Sequence, residues 1–417
     1  MTGLSDIFDK KIYDTIAKVP NNFAHYEETL VNWCNINTGS RNYLGIKSFL
    51  PLLEDAFSVL PGIINRKELN PEKVVLSNGM IEEVDLGHSF HLKVRPDAPI
   101  QIVLTGHYDT VFPIDSPFQK VATSDTDELN GPGVADMKGG ILVMLEGLKA
   151  FEHYEFKDNI GYEVLLSPDE EIGSLGSAHL LHEIGSRSDL GLTYEPALPD
   201  GSMAGARKGS ANFALIIHGK SAHVGRAHSE GISAILAAAK FVTALEGNND
   251  NLHGVTFNCG KIDGGSANNV VPDMAIVRFN IRAPSPLTMD WAVDVVKENI
   301  SAITSNGIHC HLEGGISRPP KPKNKAQEQI MSDISRIAEG LGITMQFKDT
   351  GGVCEGNNLF ASGCPNIDTL GVLGGNIHSP NEYVLKSSFG KRAALTTAIL
   401  CAYASGKLDA KALRKLM

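Results

Sequence analysis

The stretch Ile102-Val-Leu-Thr-Gly-His-Tyr-Asp-Thr-Val111 decides how the fold is interpreted. Mainly apolar residues with β propensity lead into Gly106, and His107 and Asp109 follow two positions apart. This pattern predicts a buried strand that carries a polar pair at its C-terminal end, where open α/β sheets bind their ligands. A neutral imidazole with a carboxylate two positions on suits a metal ligand and the group that orients it. Taken alone, the pair also fits ordinary hydrogen bonds in a turn.

The composition indicates a folded protein with more than one core. The chain has 417 residues, of which 42% are hydrophobic and 20% are charged, so it is long enough for two domains. Its 37 basic and 48 acidic residues give a formal net charge of −11, which argues against a general binder of nucleic acid or of anionic membranes. The first residues lack the apolar segment of a secretory signal, and no apolar run is long enough to span a bilayer. We therefore expect a cytoplasmic protein with no nucleic-acid or membrane partner.

Two further predicted strands also end in acidic residues. The run 160–167 leads into Pro168-Asp-Glu-Glu171, and the run 190–195 ends in Glu195. Adjacent carboxylates that are buried without a cation raise each other's pKa. Glu170 and Glu171 therefore fit either a cation site or a solvated acidic loop.

Two glycine-rich loops supply the remaining candidates. Asn130-Gly-Pro-Gly-Val-Ala-Asp-Met-Lys-Gly-Gly140 places Asp136 just before a predicted helix, where an N-cap in a tight turn would also explain it. The loop 373–383 contains His378, which also fits a histidine on a surface loop. Glycines next to these residues would let the backbone pass close to a metal site.

The hydrophobic pattern divides the chain into two kinds of segment. Most of the chain alternates helices and strands, which predicts a layered α/β domain. Residues 206–315 instead follow the order strand, helix, strand, strand, helix, strand, which is the split βαβ order of a ferredoxin-like α+β domain. We expect 1–205 and 316–417 to form one domain around this insertion, with 318–324 as the returning linker.

The candidates together favour a metal site. They are His107, Asp109, Asp136, Glu170, Glu171, Glu195 and His378. Imidazole nitrogens and carboxylate oxygens without a thiolate suit zinc, and also cobalt or manganese. Two ions about 3.5 to 4 Å apart need one carboxylate to bridge them. Five ligands and one free carboxylate as a base fit this set.

Six motifs, taken in order, resemble a known family across nearly the whole chain. They are GHYDTVFP, GPGVADMKGG, SPDEEIGSLGS, TYEPA, GKSAHVGRAH and GGNIHSPNEYV. This set resembles the co-catalytic zinc peptidases that include aminoacylase, acetylornithine deacetylase, succinyl-diaminopimelate desuccinylase and bacterial glutamate carboxypeptidase. The resemblance implies an α/β/α catalytic domain with a mixed sheet, and an inserted ferredoxin-like lid domain that usually dimerises.

The resemblance also implies a role for each candidate residue. Two zinc ions per subunit would be held by five residues, with His107 and Glu195 on one ion, Glu171 and His378 on the other, and Asp136 between them. Asp109 would hydrogen-bond His107 and fix its tautomer. Glu170 would act as the general base and pass the proton to the leaving amine. The peptide bond after Asp136 is often cis in this family.

Further residues match family positions that contact the substrate. His223 would reach across the dimer into the partner's site and steady the oxyanion, and Asn269 would contact the substrate from the lid. Arg318 would bind the substrate's terminal carboxylate as a planar bidentate donor, although a solvated arginine in a basic linker also fits. Gly351 and Gly352 would line the same pocket.

The chain also shows one departure from the family pattern. Many members have Ser-Asp or Thr-Asp where this chain has Val353-Cys-Glu-Gly356, so the pocket differs in shape or polarity. Glu195, where some desuccinylases, dipeptidases and aminopeptidases have aspartate, favours the carboxypeptidase, deacetylase and aminoacylase members.

These observations lead to one hypothesis with two alternatives. The hypothesis is zinc-dependent hydrolysis of an amide bond to an amino acid with a free carboxylate, as in a glutamate-carboxypeptidase-like enzyme, through hydroxide generated at the metal ions. The first alternative is an N-acyl-amino-acid deacylase. The second is a non-catalytic homologue that binds metal or ligand, which is disfavoured because no metal ligand or base is missing.

Overall fold

Two separate β-sheets organise the computed structural model, which describes residues 7–122, 124–249, 254–304 and 307–417. Its helices are α1 (Lys10–Ile16), α2 (Ala24–Cys34), α3 (Tyr43–Phe57), α4 (Lys138–Phe151), α5 (Ala178–Arg187), α6 (Val224–Ala227), α7 (Ala234–Glu246), α8 (Pro286–Ile303), α9 (Lys325–Gly340), α10 (Glu355–Ala361), α11 (Ser388–Ala404) and α12 (Ala410–Lys415). Its strands are β1 (Ile63–Glu68), β2 (Glu72–Val75), β3 (Ile81–Val84), β4 (His88–Val94), β5 (Ile100–His107), β6 (Glu128–Asn130), β7 (Ile160–Ser167), β8 (Leu190–Thr193), β9 (Met203–Arg207), β10 (Gly209–His218), β11 (Thr256–Gly264), β12 (Met274–Ala283), β13 (His309–Arg318), β14 (Phe347–Thr350), β15 (Asn366–Ile367), β16 (Gly374–Gly375) and β17 (Tyr383–Leu385). Within the described ranges, no helix combines the length and apolar character needed to cross a membrane.

The first sheet has six strands in the order β1-β4-β7-β5-β8-β15. Strand β5 pairs in parallel with β7 and β8, whereas β4 runs antiparallel to β1 and β7. Ile102 and Leu104 face a core shared with α4 and α11, and Val103 faces a second core with α5 and α10. Helices therefore cover both faces, which explains the apolar run at the centre of β5. The predicted mixed-sheet α/β/α fold is confirmed.

The second sheet has four antiparallel strands in the order β11-β12-β10-β13. Helices α7 and α8 pack against one face and form a core that is separate from those of the first sheet. The chain order strand, helix, strand, strand, helix, strand matches the split βαβ order predicted for this segment. The limits of the inserted domain, 206–315, stay a prediction.

A hairpin from the first part of the chain covers part of the second sheet. The alternation of β10 predicts one exposed face, but Ala214 and Ile216 on that face are buried. They pack with Val75 of the β2–β3 hairpin and with Ile276, and Arg278 Nη2 donates to the Val75 carbonyl at 2.7 Å. The expectation is wrong for the middle of β10. Alternation shows which side chains share a face, and it does not show which distant segment packs there.

Several predicted element boundaries also differ from the structure. The sequence 343–347 favours a strand, but β14 begins only at Phe347. The Ile343 amide instead donates to the Ala338 carbonyl at 2.9 Å and closes the end of α9. Arg318 is the last residue of β13 and pairs with β10, so it does not belong to the returning linker. Strands β1 and β3 are mostly polar and exposed, and the hydrophobic pattern gives no sign of them.

The chain passes between the two sheets twice, and the two crossings are paired. The Arg207 amide donates to the Lys321 carbonyl at 2.9 Å, and the Lys321 amide donates back at 3.0 Å. Both side chains reach Asp368, since Arg207 Nε and Lys321 Nζ each lie 2.9 Å from its Oδ2. Asp368 directly follows β15. The crossings are therefore held at the edge of the first sheet where β5, β7 and β8 end.

Candidate metal centre

The parallel strands bring the predicted polar residues to one edge of the first sheet. Strand β5 ends at His107, which is in register with Ser167 at the end of β7. Glu170 and Glu171 lie on the turn after β7, and Glu195 follows β8 by two residues. Because these strands run in the same direction, their C-terminal ends meet at one crevice.

Asp136 lies between the two histidines of this crevice. Its Oδ1 is 3.1 Å from His107 Nε2, and its Oδ2 is 3.2 Å from His378 Nε2. Glu171 Oε2 is 3.3 Å from His378 Nε2, and Glu195 Oε1 is 3.9 Å from His107 Nε2. All five residues predicted as metal ligands therefore converge. One carboxylate oxygen of Asp136 faces each half of the cluster, as a bridging ligand would require.

The electrostatics of the cluster fit a bound cation. Burial, followed by the neighbouring carboxylates, raises the pKa of Glu171 to about 8 and the pKa of Glu195 to about 7. Hydrogen bonds that the His378 ring donates to the carboxylates of Asp136 and Glu171 raise the pKa of His378 to about 11. Glu171 Oε1 and Glu195 Oε1 are buried without a hydrogen-bond partner. Divalent cations would satisfy these oxygens and neutralise the acidic cluster.

Two sets of three residues each bring their potential ligand atoms close enough together to hold a metal ion. The ligand atoms of His107, Asp136 and Glu171 all lie within 4.8 Å of one another, and so do those of His107, Glu170 and Glu195. The residues present could therefore hold metal ions through nitrogen and oxygen atoms, in line with the zinc chemistry predicted from their types.

Asp109 supports the site in two ways, of which only one was predicted. Its Oδ1 is 3.3 Å and its backbone carbonyl oxygen 3.1 Å from His107 Nδ1, and both contacts suit the expected role of orienting that ring. The same carboxylate also accepts the backbone N–H groups of Glu170 and Glu171, each at 3.1 Å, and the Ser40 hydroxyl at 2.7 Å. Asp109 thus links the histidine to the acidic turn of the neighbouring strand.

Glu382 is a buried residue of the site that the sequence analysis missed. Its carboxylate accepts the backbone N–H groups of Gly133, Ala135 and Asp136 at 3.1, 2.9 and 3.0 Å. Three charge-assisted hydrogen bonds hold the loop that carries Asp136. The peptide bond Asp136–Met137 is cis, as the family resemblance implied. Glu382 follows His378 by four residues in the motif GGNIHSPNEYV. This closeness to a candidate ligand is the feature of the sequence that pointed to Glu382.

A cavity of about 750 Å³ opens beside the cluster. It is lined by residues of both sheets, including the predicted pocket residues Gly351 and Gly352. Four arginines also line it: Arg41, Arg207, Arg282 and Arg318. Arg41 is paired with Glu72, Arg207 with Asp368 and Arg318 with Glu170. Among the described residues, Arg282 has no carboxylate partner, and its Nη1 makes no hydrogen bond.

Arg282 was also missed, although the sequence carried a signal for it. In β12, Arg278, Asn280 and Arg282 alternate with apolar residues, so all three face away from the core of the second sheet. Arg282 Nε donates to Asn280 Oδ1 at 3.0 Å, so a side chain on the same face of the strand holds the guanidinium. The alternation alone identified the polar face, but it did not show that this face meets the crevice of the first sheet.

The remaining predicted substrate contacts divide into two groups. Arg318 is 1% exposed, so the solvated arginine that a basic linker allowed is not found. His223 and Asn269 are exposed and do not line the cavity. The two residues are close in space, because the amide of Val224, which follows His223, donates to the Asn269 carbonyl at 3.0 Å.

Comparison with known families accounts for this site. A model of the peptidase family M20/M25/M40 matches residues 103–402, a range that contains all the candidate ligands. The chain belongs to this peptidase family. Members of the M20 family are metal-dependent and typically use zinc, and the chain is accordingly a hydrolytic metalloenzyme. The resemblance found in the sequence motifs is confirmed.

Individual relatives of this M20 family member are similar over most of their length. Carboxypeptidase G2 of Pseudomonas sp. strain RS-16 is 26% identical over 383 residues, covering 91% of this chain and 89% of the relative. Succinyl-diaminopimelate desuccinylase of Nitrosococcus oceani is 29% identical over 312 residues, covering 70% and 80%. A solved tripeptidase from Staphylococcus aureus is 22% identical, covers 94% of this chain and 99% of its own, and superposes with a TM-score of 0.70. The last likeness shows the shared fold.

Proposed function

We propose that this protein is a di-zinc carboxypeptidase that hydrolyses the amide bond to an amino acid with a free α-carboxylate. The observation that carries the proposal is the convergence of two histidines and four acidic side chains beside a cavity that is also lined by Arg282, an arginine whose Nη1 has no hydrogen-bond partner. Such a site combines metal ligands, a base and a carboxylate-binding group within one crevice.

Five residues would hold the two zinc ions: His107 and Glu195 on one, Glu171 and His378 on the other, and Asp136 on both. The buried, unpartnered oxygens of Glu171 and Glu195 support this assignment. When bound, zinc ions supply Lewis acidity, which lowers the pKa of a water molecule and polarises the scissile carbonyl.

Glu170 would serve as the general base because it lies in the cluster without being needed as a ligand. It would take a proton from the attacking water as the oxygen adds to the carbonyl carbon. It would then deliver that proton to the amine nitrogen as the carbon–nitrogen bond breaks. Its side chain is 10% exposed, so a bound substrate would shield this transfer from bulk water.

Arg282 is the best-placed donor for the α-carboxylate of the substrate. Its Nη1 has no hydrogen-bond partner, and burial together with the nearby charge of Arg318 lowers its pKa. An incoming carboxylate would satisfy both the free donor and the unbalanced positive charge. Gly351 and Gly352 line the same cavity, and Gly351 leaves room there for a substrate because a Cβ added at this residue would meet nothing within 4 Å.

The segment 206–315 would act as a lid and as the dimer interface. His223 and Asn269 lie together on its exposed surface and outside the cavity of their own chain, which is consistent with a role in the site of a second copy. A mixture of inactive Glu170→Gln and His223→Ala proteins should then regain activity, because mixed dimers contain one complete site. If a dimer formed and the mixture stayed inactive, this role of His223 would be wrong.

The proposed activity is tested with zinc-loaded protein and a panel of amides. Peptides ending in glutamate should be hydrolysed, and Glu170→Gln should lower turnover by about 10² or more without changing the zinc content. Glu339→Gln, which alters an exposed glutamate on α9, is the matched control and should leave turnover unchanged. Zinc-loaded wild-type protein that cleaved no peptide and no N-acyl amino acid would rule out the proposal.

An N-acyl-amino-acid deacylase is the second candidate, and the similarity to a succinyl-diaminopimelate desuccinylase favours it. Both activities break an amide bond and differ in the acyl side of the substrate. N-acetyl and N-succinyl amino acids compared with peptides of the same C-terminal residue separate the two, since the true class has the higher kcat/KM.

A further inference from the structure

A second cavity of about 590 Å³ lies next to the cavity of the metal centre. The residues that line both cavities are Glu72, Leu175, Asn212 and Ser317. The second cavity is bounded by the polar face of the second sheet and by the β2–β3 hairpin, whose residues 73–75 line it. A substrate bound at the metal centre therefore has this second space beside it.

Three asparagines, one from each of three neighbouring strands, form a row across the polar face of the second sheet. Asn280 on β12 is in register with Asn212 on β10 and with Asn258 on β11, and such partners point to the same side of a sheet. All three line the second cavity, and of the three only Asn212 also lines the first. The next position of the row, on β13, is Gly315. A Cβ added there would meet nothing within 4 Å, so the space beside Asn212 is open.

A chain of hydrogen bonds fixes the direction of the Asn212 amide. Arg282 Nε donates to Asn280 Oδ1 at 3.0 Å, and Asn280 Nδ2 donates to Asn212 Oδ1 at 2.7 Å. Because the oxygen of Asn212 is engaged, its amide nitrogen is the group that is left for a ligand. Within the part of the chain that the structure describes, Asn212 Nδ2 donates to no protein group. Asn212 therefore offers N–H donors where the two cavities meet.

The asparagine row lies one step along the sheet from the two arginines nearest the metal centre. Ser210 on β10 is in register with Arg282 and with Arg318. Asn212 follows Ser210 by two residues, which span about 7 Å of a strand. The proposed function places the α-carboxylate of the substrate at the row of Ser210. The side chain of the same amino acid is then the part of the leaving group that can extend to Asn212.

We propose that the second cavity is a subsite for the side chain of the leaving amino acid, and that Asn212 is its specificity residue. Asn212 Nδ2 donates to an oxygen atom near the end of that side chain, which is a carboxamide or a carboxylate. Lys73 lines the same cavity and makes no ion pair with a described residue, so either group is accepted there. An apolar side chain of the same length leaves the donors without an acceptor and is disfavoured. The proposal rests on the proposed function.

A panel of leaving amino acids tests the subsite. Peptides that share their acyl part and end in alanine, methionine, glutamine or glutamate are assayed with zinc-loaded wild type and Asn212→Leu, which has a similar volume and no donor. Wild type should favour glutamine or glutamate over methionine by about tenfold in kcat/KM, as one hydrogen bond implies, and the better of the two identifies the acceptor group. Asn212→Leu should lose this factor and cleave the methionine and alanine peptides within about twofold of wild type. An equal loss for all four peptides, or an unchanged preference in Asn212→Leu, would overturn the proposal.

Three further variants distinguish loss of the donor from damage to the fold. Asn212→Asp keeps the shape and should weaken cleavage at glutamate more than at glutamine, because two carboxylates repel each other. Gly315→Val fills the open position of the row and should lower kcat/KM for the three longer side chains while alanine is retained. Asn65→Leu, at an exposed asparagine on β1 that lines neither cavity, should keep the wild-type order. Wild-type rates for all four peptides in Gly315→Val would show that long side chains bind elsewhere.

A binding measurement separates failure of this proposal from failure of the proposed function. L-Glutamine, L-glutamate and L-methionine, as free leaving groups, are titrated into zinc-loaded wild type and Asn212→Leu in a calorimeter. Glutamine or glutamate should bind wild type about tenfold more tightly than methionine, and the variant should bind the three alike. Protein with this preference that hydrolyses no amide would refute the proposed function and keep the subsite. Protein that hydrolyses the peptides without preference would keep the proposed function and refute the subsite.

Discussion

At the scale of single residues, the site depends on carboxylates that accept backbone N–H groups. Asp109 holds the turn of Glu170 and Glu171, and Glu382 holds the loop of Asp136. Each carboxylate thus holds a backbone segment that carries candidate metal ligands. Ligand precision of this kind typically depends on such supporting groups as much as on the ligands themselves.

Glu382→Gln tests this support directly. An amide cannot accept on both sides, so at least one of the three backbone N–H groups loses its buried partner, at a cost of about 1 to 3 kcal/mol. We expect zinc affinity to fall about 10- to 100-fold, as measured by competition with a chromophoric chelator. Glu128→Gln, at an exposed glutamate on the strand that pairs with β17, is the control and should keep wild-type affinity. Unchanged affinity in Glu382→Gln would mean that the loop needs no such anchor.

At the scale of elements, the two crossings between the sheets share one anchor. The Asp368 carboxylate receives both Arg207 and Lys321, and all three side chains are buried. Burial alone would raise the pKa of Asp368, but the two cations outweigh this effect and hold it well below the usual range. The ionised form therefore stabilises the folded state.

Asp368→Asn should accordingly destabilise the protein in a pH-dependent way. Removing one partner of a buried ion cluster costs about 3 to 5 kcal/mol. Because the folded pKa is depressed, the full stabilisation is present above the unfolded pKa of about 3.9 and is lost as the pH falls below it. Urea unfolding at pH 7 and at pH 3.5 should show the difference from wild type shrinking at the lower pH. Asp294→Asn, exposed on α8, should differ little at either pH, and an equal loss at both pH values in Asp368→Asn would contradict the argument.

At the scale of the whole molecule, the metal centre joins distant parts of the chain. His107 and His378 lie on opposite sides of Asp136 and are separated by most of the sequence. Bound ions would therefore add contacts between the first and last thirds of the fold, and would stabilise it by mass action.

Metal removal should lower the thermal stability of the whole catalytic region. Zinc at about 100 times its dissociation constant contributes about 2.7 kcal/mol per site, so chelation should lower the unfolding temperature and added zinc should restore it, as measured by scanning calorimetry. His378→Ala should show a smaller zinc-dependent shift because it lacks one ligand. His311→Ala, at an exposed histidine on β13, should respond as wild type does. A shift of equal size in His378→Ala would exclude this histidine as a ligand.

The sequence by itself determined which residues are of a type that can bind a metal ion, and in what order they follow one another along the chain. A buried strand such as 102–105 has an apolar pattern of its own, and His107 follows it wherever the strand is placed. Asp136 and His378 were found through glycine-rich motifs of the same local kind. The split βαβ order of 206–315 was also predicted, because each element there carries its own hydrophobic period.

Only the tertiary structure decided how the charged groups are paired. In sequence, Arg318 and Arg282 are equivalent as candidates for a carboxylate. Arg318 donates to Glu170 and Asn358, whereas Arg282 has no carboxylate partner among the described residues. Glu382 likewise gained its role from a loop about 250 positions away in the chain. Residue type and local period show what a side chain is able to do. Which partner it meets depends on packing between distant segments, and burial then decides whether that partner is kept.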